Sequence, residues 1–233
     1  FCFFLDSGLD CRRLGRYSFL GNDPFLIFKS YGERNEIRRG NSIELLKSHM
    51  TQIKINYSYE VLLSLLKKEM HGRELAKELK TSLTRVQSIL AELRNINVLD
   101  YKVEGKNHVY FIKKNIISRS FILNAENYKL SKVLIKHPEF EPIFNDIIKK
   151  SKCSLIILFG SYAKGIPKKD SDIDIYIETT SQKIKEDVQK IYDLISVKIG
   201  KFNPDDLLIK EIIKNHVIIK GGEEYYEKIR FFE

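Results

Sequence analysis

Residues 155–177 read LIILFGSYAKGIPKKDSDIDIYI. The apolar run that ends at Phe159 predicts a buried strand, and the small residues Gly160-Ser161 then turn the chain into a short helix. The chain returns as a second strand in which Asp172 and Asp174 lie two residues apart and therefore face the same side. This order predicts an α/β unit in which two carboxylates lie beside a glycine turn.

The turn and the two aspartates have complementary chemistry. Backbone N–H groups and the hydroxyl at Gly160-Ser161 can approach a phosphate at a helix N-terminus. Two converging carboxylates repel each other unless a cation lies between them, and Mg²⁺ prefers one or two carboxylates completed by waters and phosphates. We therefore predict that Asp172 and Asp174 are the catalytic and metal-binding residues, with Mg²⁺ as cofactor and ATP or another nucleoside triphosphate as substrate. The residues predicted to bind the nucleotide are Gly160, Ser161, Lys164, Gly165 and Ser171.

Two alternatives stand beside this prediction. An Asp-Ile-Asp pair on a strand is also compatible with a solvated sheet edge, and Lys164 is equally compatible with an ordinary surface lysine. The implied reaction is in-line attack of a hydroxyl on the α-phosphate of the nucleotide, with pyrophosphate as the leaving group.

The spacing is also that of a known family. Gly160-Ser161, ten residues and then Asp172-Ile-Asp174 resemble the signature of the nucleotidyltransferase superfamily related to polymerase beta. Over residues 151–233 the chain looks most like the minimal nucleotidyltransferases, some of which act as antitoxins that transfer AMP to a tyrosine of a HEPN-type toxin. The resemblance implies a protein hydroxyl as acceptor. Tyr225 and Tyr226 of this chain lie in a predicted final helix and are interpreted as packing residues.

The sequence departs from that family at one position. The superfamily usually carries a third carboxylate on the next strand. That strand here corresponds to residues 194–199, which have Ser196 and Lys198 on one face, Ile195, Val197 and Ile199 on the other, and no acid. Nucleotide and metal binding are therefore better supported than turnover. An alternative function is a DNA-binding transcriptional regulator whose degenerate nucleotidyltransferase domain senses nucleotide without transferring it.

Residues 50–115 follow a different pattern. Apolar residues recur at helical spacing in three segments, and two short β runs joined at Glu104-Gly-Lys-Asn107 follow them as a hairpin. Three helices and a hairpin resemble a winged helix-turn-helix, in which the third helix enters the major groove of DNA. The residues predicted to contact DNA are Thr84, Arg85, Gln87, Ser88 and Lys106. The alternative is a module for protein docking or dimerisation, so a homodimer is also considered.

The charge distribution agrees with a DNA-facing middle segment. The chain of 233 residues has 40 Lys and Arg against 31 Asp and Glu, a net charge of +9. Residues 50–120 hold 13 basic and 7 acidic side chains, whereas residues 121–233 hold 19 and 18. A basic stretch alone is more often a solvated surface, so the helical pattern carries this prediction rather than the charge.

Residues 1–48 are predicted to be β-rich and rich in turns. Phe3-Phe-Leu-Asp-Ser7 and Gly15-Arg-Tyr-Ser-Phe-Leu-Gly21 resemble the N-terminal region of the anthranilate and aminobenzoate synthase large subunits. Because the catalytic portion of such enzymes cannot fit in the remaining chain, no chorismate chemistry is assigned to this segment. The first methionine, Met50, coincides with its end, and we expect Met50 to be the original start of a two-domain protein.

The composition bears on whether the protein meets a membrane and on its redox environment. The longest apolar runs are far shorter than the roughly 18–20 residues that a bilayer span requires, so no membrane partner is expected. Three cysteines without a C-x-x-C spacing favour a reduced, cytoplasmic protein over a disulfide framework or a zinc site. The predicted fold is a multidomain α+β chain in which a winged helix-turn-helix precedes a small α/β nucleotidyltransferase domain with a mixed sheet. The predicted segments are 1–49 (synthase-like), 50–115 (winged helix), 116–150 (helical linker) and 151–233 (nucleotidyltransferase).

Overall fold

A computed structural model describes residues 55–233 in full and, within residues 1–54, the backbone of five strands. The chain divides into two compact units, Phe1–Lys54 and Ile55–Glu233. In the first unit the strands form an antiparallel sheet in chain order, as the β-rich pattern predicted. The strands are β1 (Phe3–Asp6), β2 (Tyr17–Leu20), β3 (Leu26–Tyr31), β4 (Arg34–Arg39) and β5 (Ser42–Leu46). The predicted boundary at Met50 lies outside the described residues, and the likeness to the synthases stays a prediction.

The second unit begins with the predicted helices and hairpin. The elements are α1 (Tyr57–Leu65), β6 (Met70–His71), α2 (Gly72–Glu78), α3 (Leu83–Asn95), β7 (Leu99–Glu104) and β8 (Asn107–Ile112). The side chain of Asn56 caps α1, and the hydroxyl of Ser82 caps α3 by accepting the N–H of Arg85 at 3.3 Å. The two-residue strand β6, which pairs with β8, is too short to leave a periodic signal in the sequence.

Two further helices connect this part to the C-terminal sheet. They are α4 (Ile116–Lys136) and α5 (Phe140–Ser151). The break between them falls at Pro138, because a proline disfavours the helical conformation for the residue before it. His137 accordingly has a φ of −131° and a ψ of 74°.

The C-terminal sheet has four strands in the order β11-β10-β9-β12. Strands β10 and β11 are parallel, whereas β9 is antiparallel to both of its neighbours, so the predicted mixed sheet is present. The last strand, β12, was not predicted. The elements are β9 (Ile156–Phe159), α6 (Gly160–Ala163), β10 (Ile173–Glu178), α7 (Gln182–Gln189), β11 (Ile195–Gly200), α8 (Leu207–Lys214), β12 (Val217–Lys220) and α9 (Gly222–Lys228).

Both faces of this sheet are covered. One face contributes Ile175 to an apolar cluster with Phe140 of α5 and Val188 of α7. The other face contributes Tyr176 to a second cluster with side chains of α4, α8 and α9, and that cluster continues into α1, α2 and α3. Because side chains alternate along a strand, Asp174 shares the face of Tyr176. Among the residues that the structure describes, no helix combines the length and the apolar character needed to cross a bilayer.

Candidate active site

The central feature of the site is the contact between Gly160 and Asp174. Phe159, the last residue of β9, is paired with Asp174 of β10, so the following residue, Gly160, turns directly over the aspartate. Gly160 has a φ of +72°, and a Cβ at this position would lie 2.1 Å from Asp174 Oδ2. Only glycine meets both constraints, because any side chain would be strained and would overlap the carboxylate. The predicted turn and the predicted carboxylate are therefore adjacent.

The two aspartates differ in exposure. Asp172 lies just before β10 and is exposed, whereas Asp174 is half-buried within the strand. Partial burial raises the pKa of Asp174, and the negative charge of Asp172 acts in the same direction. The neighbouring Ser196 and the positive charge of Lys198 oppose this effect. The two carboxylates thus interact electrostatically, although Asp172 lies outside the strand in which it was predicted.

Strand β11 carries no acid beside these residues. Its parallel register pairs Asp174 with Ser196 and Tyr176 with Lys198. In residues 55–233 no group of three or more His, Cys, Asp or Glu side chains is arranged to hold a metal ion. Two carboxylates alone fit Mg²⁺, which completes its coordination with waters and phosphates, better than a cation that needs a full set of protein ligands. The position on β11 beside Asp174 is therefore occupied by Ser196 and not by a third carboxylate.

The remaining predicted nucleotide-binding residues lie in the segment between Gly160 and β10. Ser161 follows Gly160 at the start of α6, and Gly165, with a φ of +74°, ends the turn that follows the helix. The hydroxyl of Ser171 accepts the backbone N–H of Lys168 at 2.8 Å, so it closes the loop before β10. This hydrogen bond gives Ser171 a structural role in the loop.

Lys164 has a partner that the sequence did not indicate. Its Nζ donates to Glu211 Oε1 of α8 at 2.8 Å, across 47 residues of sequence. Glu211 also adds to the negative charge that raises the pKa of Asp174, after burial and Asp172. No local motif singles out Glu211, because its neighbours Lys210 and Ile212 fit an ordinary amphipathic helix.

The predicted DNA-contacting residues lie on the exposed side of α3 and in the hairpin turn. Thr84, Gln87 and Ser88 are exposed, as is Lys106 between β7 and β8. The guanidinium of Arg85 lies over the ring of Tyr57 at 4.1 Å from its centroid. These contacts leave the outward face of α3 polar and accessible.

Tyr225 and Tyr226 are packing residues, as interpreted from the sequence. They are 1% and 3% exposed, and the hydroxyl of Tyr226 donates to Glu126 Oε1 of α4 at 2.9 Å. Burial of both rings excludes them as acceptors of a transferred nucleotide in this fold.

Comparisons with known proteins bear on the C-terminal part of the chain. Residues 142–225 match the family model described as "Polymerase beta, Nucleotidyltransferase", and this range contains the Gly160 turn and both aspartates. None of the curated proteins compared with the chain matches it. Among solved structures, the chain is similar to the adhesin competence repressor of Streptococcus pyogenes, with 16% identity, a TM-score of 0.30, and coverage of 43% of this chain and 69% of that one. A likeness at this level carries no argument about fold or function. The family match supports a nucleotidyltransferase domain in residues 142–225.

Proposed function

We propose that the protein is a cytoplasmic, magnesium-dependent nucleotidyltransferase that moves AMP from ATP to a hydroxyl of a protein acceptor. The observation that supports this proposal is the contact between the Gly160 turn, which we propose to bind phosphate, and the Asp174 carboxylate, which we propose to bind the metal. The match of residues 142–225 to a nucleotidyltransferase family model supports the general class of reaction. In its most specific form, the proposal is that AMP is the transferred group and that a HEPN-type toxin is the acceptor.

The residues of the turn and the two aspartates have different proposed roles. The backbone N–H groups at Gly160 and Ser161 hold a phosphate of the nucleotide, and Lys164 adds a positive charge one helical turn further on. Asp172 and Asp174 are the residues that would hold Mg²⁺. When bound, this ion would neutralise charge on the phosphates and on the departing pyrophosphate. The proximity of turn and carboxylates orients the α-phosphate for in-line attack by the acceptor hydroxyl.

Label transfer tests this proposal directly. The purified protein is incubated with Mg²⁺, ATP labelled at the α-phosphate and a candidate toxin-like partner. We expect label on the partner with the wild-type protein and none with Asp172→Asn or Asp174→Asn, while the exposed Asp193→Asn serves as the matched control. Transfer that persists in both aspartate variants contradicts the assigned site.

A second function, as a DNA-binding regulator with a nucleotide-sensing site, is favoured by one specific observation. Strand β11 presents Ser196 beside Asp174 where a third carboxylate would complete the site. Binding of nucleotide without transfer, in the presence of a verified acceptor, would favour this function over the enzymatic one.

The DNA-binding part of either function rests on α3 and the hairpin. Thr84, Arg85, Gln87 and Ser88 are proposed to face the major groove, with Lys106 near phosphates. Helix-turn-helix proteins commonly bind as dimers to two half-sites, so a homodimer forms part of this proposal. Light scattering of the protein with and without DNA would measure the stoichiometry.

A further inference from the structure

An ion pair joins the two sides of the proposed nucleotide site. Lys164 directly follows α6, and its backbone N–H donates to the carbonyl of Gly160 at 3.1 Å. Its ammonium group reaches Glu211 of α8 at 2.8 Å, and the two side chains are 36% and 50% exposed. A continuous set of contacts therefore runs from Asp174 through Gly160 and Lys164 to Glu211.

Glu211 and a bound nucleotide would use the same cation. A phosphate held by the Gly160 turn lies one helical turn from Lys164, within the reach of a flexible lysine side chain. Glu211 offers one negative charge in a partly exposed ion pair, and such pairs contribute little free energy. A triphosphate offers several charges and stronger charge-assisted hydrogen bonds. The phosphates can therefore displace Glu211.

We infer that Glu211 is a positioning residue of the nucleotide site, which holds Lys164 beside α6 and competes with the nucleotide phosphates for it. This inference rests on the proposed function, because it takes nucleotide binding at Gly160-Ser161 as given. It adds a criterion of specificity: a ligand must carry enough negative charge beyond the α-phosphate to displace Glu211. The site accordingly selects a triphosphate over a monophosphate.

Titration calorimetry with Mg²⁺ and the α,β-methylene analogue of ATP tests the inference, because this analogue cannot undergo transfer. The proteins are the wild type, Glu211→Gln, Lys164→Met and the double variant. Glu211→Gln is expected to bind about two- to fivefold more tightly, which is what release from one partly exposed ion pair supplies. Lys164→Met is expected to bind more weakly, and the double variant should match Lys164→Met, since Glu211 acts through the lysine. Circular dichroism melts verify that all four proteins are folded.

Three results would overturn the inference. They are unchanged or weaker binding by Glu211→Gln, equal tightening in the Lys164→Met background, and equal tightening by Glu224→Gln. The last variant is the matched control, because Glu224 forms a comparable ion pair with Lys228 at 3.4 Å within α9. Absence of analogue binding by the wild type overturns both the inference and the proposed function. The expected binding pattern without label transfer overturns the enzymatic proposal alone.

Discussion

Tyr226 donates a hydrogen bond of 2.9 Å to Glu126, a residue 100 positions earlier in the chain. Glu126 is 3% exposed, and the same carboxylate accepts from Lys129 at 3.1 Å and lies 3.4 Å from His216 Nε2. Burial alone would raise the pKa of Glu126, but the neighbouring Lys129 and His216 side chains lower it to about 2. The folded protein therefore holds this carboxylate ionised in its interior.

Acid should destabilise the protein through Glu126. Its pKa is about 2 in the folded chain against an ordinary 4.5, so the unfolded chain takes up the proton first as the pH falls. The stability due to this shift is present above pH 4.5 and is lost between there and pH 2, an effect of about 3 kcal/mol. Glu126→Gln should lack this part of the pH dependence, whereas the exposed control Glu141→Gln should keep it. Urea unfolding between pH 7 and pH 3 measures the difference, and identical pH profiles for wild type and Glu126→Gln would contradict the assignment.

Substitution of Gly160 should destabilise the protein more than substitution of Gly165. Gly160→Ala imposes backbone strain at a φ of +72° and a Cβ that overlaps the Asp174 carboxylate. Gly165→Ala is the matched control, because its φ is +74° but nothing lies within 4 Å of its Cβ. Both variants should lose about 1–2 kcal/mol of stability from backbone strain, and Gly160→Ala should lose more. Equal unfolding free energies for the two variants would show that the contact with Asp174 has no energetic weight.

An acid at position 196 should strengthen metal binding. The parallel register pairs Ser196 with Asp174, so Ser196→Asp adds a third carboxylate at the same level of the sheet. We expect the Mn²⁺ affinity of Ser196→Asp, measured by electron paramagnetic resonance, to be several-fold higher than that of the wild type. The affinity of Ser196→Asn should be unchanged, because asparagine has the shape of aspartate without its charge. Equal Mn²⁺ affinity in all three proteins would place the metal away from β11.

Loss of Arg85 should weaken DNA binding. Arg85→Ala removes an exposed cation from α3 and should lower the slope of log K against log salt by about one. DNA from upstream of the gene, titrated at several salt concentrations by fluorescence anisotropy, measures that slope. The exposed Arg230→Ala is the control and should not change it. Binding of Arg85→Ala that equals wild-type binding at every salt concentration would exclude α3 as the recognition helix.

Local patterns in the sequence predicted the parts of the site that are close in the chain. The strand period of two predicted that Asp172 and Asp174 face the same side, although Asp172 lies just before β10. The turn at Gly160 follows from small residues after an apolar run. The presence of the helices α1, α2 and α3 likewise follows from the helical spacing of apolar residues.

Pairings between distant segments could not be predicted in this way. The Lys164–Glu211 ion pair joins residues 47 positions apart, and the Glu126–Tyr226 hydrogen bond joins residues 100 positions apart. Each depends on how helices pack on the sheet, which no local pattern encodes. Strand β12 was missed for a related reason: its pairing with β9 is long-range, and Val217-Ile-Ile219 is too short to distinguish a strand from a buried helical segment.

The apolar cluster that extends from α1 to α9 has a thermodynamic consequence. Ile122 and Ala125 of α4 lie in one continuous core with Val61 of α1 and Tyr225 of α9. Residues 55–233 should therefore melt in a single cooperative transition rather than as separate domains. Because α3 unfolds together with the rest of residues 55–233, any ligand that binds the folded protein beside Gly160 also raises the temperature at which α3 unfolds, although α3 forms no part of that ligand site.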